Sequence, residues 1–149
     1  MPNWCENTVH FEHTDPKAIT EVKEAFAEEK LCNYFLPIPD GTEDWHTNRI
    51  VKWGTKWDVG DDGGNIVLDN QDHELTLHFS SAWSPPTGIY EEAENKGFTV
   101  SATYCEPSME FIGEFVNGED RCYYLSDAPQ HLKDEYEWAY EEWNDDEED

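Results

Sequence analysis

The side chains best suited to chemistry fall in two short runs: Trp53, Lys56, Trp57 and Asp58 in one, Trp83 and Ser84 in the other. Indole rings stack on flat ligands, while an ammonium and a carboxylate orient polar groups. Brought together, these six residues would form an aromatic-rimmed pocket for a sugar, a nucleotide or a peptide. Lys56 stands out as one of only nine basic residues in the chain. The competing reading is structural: the tryptophans pack beneath a sheet and Lys56 pairs with a nearby carboxylate.

Other chemistry-bearing residues form weaker patterns. Asp58, Asp62, Gly63 and Asp69 reproduce positions 1, 5, 6 and 12 of a calcium-binding loop. Gly60 and Asn65 stand where a ligand and an apolar anchor belong, so a solvated turn fits better. The histidines His10, His13, His46, His73, His78 and His131 show no HExxH motif and no paired Cys/His spacing. Spacing therefore predicts no metal and no cofactor, and a zinc site would have to be assembled across strands. No nucleophile elbow, phosphate loop or dinucleotide fingerprint occurs, so no catalytic residue is assigned. Cys5, Cys32, Cys105 and Cys122 are too scattered for a cluster and read as free thiols, several of them buried.

Charge restricts the partners. Thirty-five acidic residues against nine basic ones give a formal net charge of −26. Such a field opposes direct binding to nucleic-acid phosphates or anionic membranes and favours a basic protein surface. Solubility, or adaptation to a salt-rich cell, would also account for it. The acids concentrate toward the end of the chain, where Asp134, Glu135, Glu137, Glu141 and Glu142 face outward on an expected helix. Carboxylates on a helix advance about 1.5 Å per residue, close to the ~1.7 Å charge spacing of duplex DNA. An acidic helix of this kind is a candidate DNA mimic. The start of the chain lacks a basic, apolar leader and no apolar run reaches membrane-spanning length, so a cytoplasmic protein is expected.

These residues need a frame. Alternation over 7–13 predicts a first strand, and Ile19, Val22, Ala25 and Phe26 predict an amphipathic helix over 15–30, capped near Thr14-Asp15-Pro16. Within 31–44, Leu36-Pro37-Ile38-Pro39-Asp40-Gly41 reads as an extended segment that ends in a turn; 45–58 is ambiguous, with helical spacing broken by Gly54. After a loop at 60–64, strands are expected at 66–68 and 75–79, a helix over 87–96 closed by Gly97, and a strand over 98–104. A hairpin follows over 109–125 around Asn117-Gly118. The last helix, 127–143, turns Leu132, Tyr136, Ala139, Tyr140 and Trp143 inward, before a disordered acidic tail over 144–149. The order is that of a single α+β domain over 1–143. Its core is a ferredoxin-like (βαββαβ) antiparallel sheet with helices on one face, extended by the hairpin and the acidic C-terminal helix.

Three motifs carry a family resemblance: Met1-Pro2-Asn3-Trp4-Cys5-Glu6-Asn7, Trp53-Gly54-Thr55-Lys56-Trp57-Asp58, and Phe79-Ser80-Ser81-Ala82-Trp83-Ser84-Pro85-Pro86. In that order, over residues 1 to about 125, they resemble the YubB ferredoxin-like domain family of small phage- and plasmid-borne proteins. The resemblance implies a ferredoxin-like fold and a mobile-element setting; it implies no activity and no catalytic residues. The first expectation is thus an accessory protein that binds a basic host protein surface, with DNA mimicry as its specific form. The second is a small-molecule module, or weak enzyme, built on the tryptophan region; the third is acidity from salt adaptation alone.

Overall fold

In the computed structural model, residues 4–38, 43–55, 58–60 and 65–141 are described. The expectations for Asp40-Gly41, Lys56, Trp57, Asp62, Gly63, Glu142, Trp143 and the 144–149 tail lie outside them. The first strand, β1 (Trp4–Glu12), buries Cys5, Asn7, Val9 and Phe11, and its alternate residues face the other way. Helix α1 (Pro16–Ala27) begins where expected. Asp15 accepts a hydrogen bond from the Lys17 N–H, Pro16 fills the first turn, and Ile19, Val22, Ala25 and Phe26 form the buried stripe.

Ahead of the segment read as extended lies a short helix, α2 (Leu31–Phe35), which the sequence reading did not place. Its first N–H groups find their acceptor in Asp58, which receives hydrogen bonds from Cys32 at 2.6 Å and Asn33 at 3.0 Å. A five-residue helix held by a carboxylate far along the chain leaves no local signature. The ambiguous stretch resolves as α3 (Trp45–Trp53), closed by Gly54 at φ 91°.

Two strands follow, β2 (Ile66–Asn70) and β3 (Glu74–Ala82), and their register shifts between Val67 and Asp69. Helix α4 (Thr87–Asn95) buries Ile89, Tyr90 and Ala93, and β4 (Thr99–Glu106) returns alongside β1. The expected hairpin is β5 (Phe111–Val116) with β6 (Glu119–Tyr124). Its turn residues, Asn117 and Gly118, have φ of 55° and 79°, the pairing that an Asn-Gly turn favours.

The six strands form one antiparallel sheet in the order β2-β3-β1-β4-β5-β6, and the architecture is α+β. The larger apolar cluster joins Val9, Phe11, Leu77 and Phe79 of the sheet to Phe26 of α1, Phe35 of α2 and Tyr90 of α4. A smaller one joins Cys105 and Ile112 to Leu125, Leu132, Tyr136 and Ala139.

The chain's end departs from one continuous helix. A single 3-10 turn (Leu125–Asp127) precedes α5 (Gln130–Glu135), which stops at Tyr136 with φ −114° and ψ 39°; residues 137–141 then resume helical conformation. The inward stripe survives the break, because Leu132, Tyr136 and Ala139 remain buried. No described helix is long and apolar enough to cross a membrane.

Candidate functional site

The three motifs meet at one end of the central strands. The Asn7 amide donates to the Cys5 carbonyl at 3.0 Å and to the Ser81 hydroxyl at 2.8 Å, and it accepts from the Tyr90 hydroxyl at 3.1 Å. Thr55 donates to the Ala82 carbonyl, Ser84 to the Gly54 carbonyl, and Ser81 to the Ser84 carbonyl. Asn7, Ser81 and Thr55 are fully buried, where an unpaired polar group would be costly, so this network ties the motifs together. Sequence reading missed it because Asn7, Ser81 and Tyr90 share no spacing.

The described members of the proposed pocket, Trp53, Asp58, Trp83 and Ser84, take different roles around that junction. Trp53 is 1% exposed, donates its indole N–H to the Leu36 carbonyl at 2.7 Å, and lies under the Arg49 guanidinium. Asp58 accepts from the backbone of Cys32, Asn33 and Val59. Burial outweighs these donors and holds its carboxyl above the usual range. Ser84 is committed to Gly54. Of the described members only Trp83 presents a large ring to solvent, 46% exposed and at φ 72°, a strained value for an aromatic residue. Asp58 borders a cavity of about 140 Å³ with Trp4, Glu29 and Asn65. Neither Trp53 nor Trp83 lines this cavity or the larger cleft at the opposite strand ends. Of the calcium-loop positions, Asp58 is spent on α2 and Asp69 lies on β2.

The second face of the sheet is the more organised surface. One row of cross-strand neighbours runs Ile66, His78, Thr8, Thr103, Glu114, Arg121, taking one residue from each strand. Helix α5 lies over its β4–β5 half. Glu135 accepts from Thr103 at 2.7 Å, the Tyr136 hydroxyl meets Thr103 at 3.2 Å, and His131 approaches Glu114 at 2.7 Å. Over β1 and β3 the face is partly exposed, and it carries two similar histidine arrangements. His78 sets one ring nitrogen 3.0 Å from Thr8 and the other 3.2 Å from Glu6, which also accepts from Ser80. His10 sets one nitrogen 2.8 Å from Thr76 and the other 3.1 Å from Glu12 and 3.5 Å from Glu74. The His78 contact, assisted by Ser80, holds the Glu6 carboxyl below the usual glutamate range against the opposing effect of burial.

Sequence reading did not pair His10 with His78, since only the register of β1 against β3 sets them side by side. Beyond His10, the ends of these strands open into a cleft of about 980 Å³ lined by Glu12, His13, His73, Glu74, Gly97 and Thr99.

The acids assigned to partner binding are divided. Asp134 accepts from Gln130, Glu135 is engaged with Thr103, and Glu137 and Glu141 are exposed beyond the break in the helix. The cysteines are free thiols, with Cys5, Cys32 and Cys105 buried and Cys122 exposed; burial pushes the Cys105 thiol up to about 12. Compared with known proteins, the chain matches no family model, no curated protein and no solved structure.

Proposed function

We propose that this is an acidic accessory protein that acts by binding a basic surface of another protein, through the face of the sheet on which α5 lies. The observation that carries the reading is the shared row. Glu135 of α5 is bonded to Thr103, whose cross-strand neighbour Thr8 lies opposite His78. The carboxylates of α5 therefore border the same surface as Glu6, Glu12 and Glu74. With a net charge of −26, that surface is complementary to a Lys- and Arg-rich partner, and attraction of this kind acts mainly on encounter rate and selectivity.

DNA mimicry, with a nucleic-acid-binding or defence protein of the host as target, is the specific form of this proposal. The YubB-like motifs support a phage or plasmid origin. The strand order β2-β3-β1-β4 is the order of a ferredoxin-like βαββαβ core and supports that assignment. Placement of Trp53, Asp58 and Ser84 in structural roles weighs against the tryptophan pocket as the working site.

The test compares the intact chain with the charge-neutralised variant Asp134→Asn/Glu135→Gln/Glu137→Gln/Glu141→Gln in a pull-down from host lysate at low and high salt. Neutralisation is preferable to truncation, because removing α5 would uncover Cys105, Ile112 and Leu125. Capture of a nucleic-acid-binding protein by the intact chain at low salt, lost in the variant, supports the reading. Capture indifferent to both salt and neutralisation refutes it.

A further inference from the structure

We propose that His10, Glu12 and Glu74 form a binding site for a divalent transition-metal ion, with zinc the best match. Three ligand atoms, one imidazole nitrogen and two carboxylate oxygens, lie within 4.8 Å of one another. The imidazole Nε2 is 3.1 Å from the Glu12 oxygen and 3.5 Å from that of Glu74. Zinc bonds of 2.0–2.1 Å in a tetrahedron place neighbouring ligand atoms about 3.3 Å apart. Both imidazole–carboxylate separations thus already match that spacing.

The frame supports the ligands. Glu12 and Glu74 are directly opposed across β1 and β3, and His10 is opposed to Thr76 one step along the same face. Like charges in directly opposed positions repel, more so in a chain of net charge −26, and a cation between them removes that cost. With an ion on Nε2 the ring proton sits on Nδ1 and donates to the Thr76 hydroxyl 2.8 Å away, which fixes tautomer and ring orientation as an outer-shell partner does. An imidazole among the donors selects against magnesium and calcium. Glu12 and Glu74 also line the open cleft at the strand ends, so the ion's remaining positions would face water or a small anionic ligand there.

The neighbouring His78 is an internal control. Its Nε2 faces Glu6 alone, with the Ser80 hydroxyl where a second carboxylate would be needed. The experiment is a calorimetric zinc titration of the full chain carrying Cys122→Ser, which removes the exposed thiol, with excess magnesium present to occupy diffuse carboxylates. A single saturable zinc site is expected. His10→Gln and Glu74→Gln should each weaken it by about tenfold or more, while His78→Gln leaves it within about twofold. Circular dichroism verifies that each variant is folded. Absence of saturable binding, or equal zinc affinity in the parent and His10→Gln proteins, overturns the proposal. Neither result bears on binding of a basic partner, which is read without zinc.

Discussion

The indole of Trp53 is enclosed by the larger apolar cluster and donates to Leu36, whereas the indole of Trp83 projects from a left-handed residue into solvent. Their truncations should differ accordingly. Trp53→Ala removes a fully buried ring and leaves both a cavity and an unpaired Leu36 carbonyl, at a cost of roughly 3–5 kcal/mol in denaturant unfolding. Trp83→Ala should cost no more than about 1 kcal/mol, since its ring is half exposed. Similar losses for the two variants would mean that Trp83 is held by packing and is not a free surface ring.

At the scale of elements, α3 and α4 touch through a backbone contact that only glycine allows. A Cβ on Gly88 would sit 1.8 Å from the Lys52 carbonyl oxygen at the end of α3. Because that obstacle is backbone, it cannot swing aside as a side chain could. Gly88→Ala is expected to lower stability by about 1–3 kcal/mol, read as a reduced denaturation midpoint with an unchanged slope. A rise in stability from the better helix propensity of alanine would show that the two helices separate freely. Helix α5 raises a different matter. Its break at Tyr136 separates Asp134 and Glu135 from Glu137 and Glu141, so any mimicry of DNA would rest on two short segments and not on one continuous helix.

For the molecule as a whole, the dominant quantity is the net charge of −26. The described ion pairs are few: Arg121 meets Glu119, and the others involve His10, His78 and His131. Self-repulsion should therefore be felt across the fold. The screening length falls from about 30 Å at 0.01 M salt to about 3 Å at 1 M. The thermal midpoint of the intact chain is accordingly expected to rise by several degrees over that range. A midpoint independent of salt would mean that the acids are spread widely enough not to interact, which removes the argument for adaptation to a salt-rich cell.

What was legible in the sequence was local. The cap and stripe of α1 and the Asn117-Gly118 turn follow from residue types within one or two turns of chain and were placed correctly, whereas 45–58 stayed ambiguous because the break at Gly54 was legible and the helix α3 before it was not. The apolar spacing of Leu132, Tyr136 and Ala139 likewise foretold which side is buried along α5 and the helical residues that follow it. Tertiary structure alone decided the rest. Helix α2 exists where Asp58 reaches back to its N–H groups, and neither partner signals the other. The tryptophan motifs suggested a pocket because indole is equally suited to ligands and to cores, and only burial distinguishes the two uses. His10, Glu12 and Glu74 became neighbours through the register of β1 against β3. Antiparallel pairing brings together residues far apart in the chain, and no spacing within one strand encodes which partner it will meet.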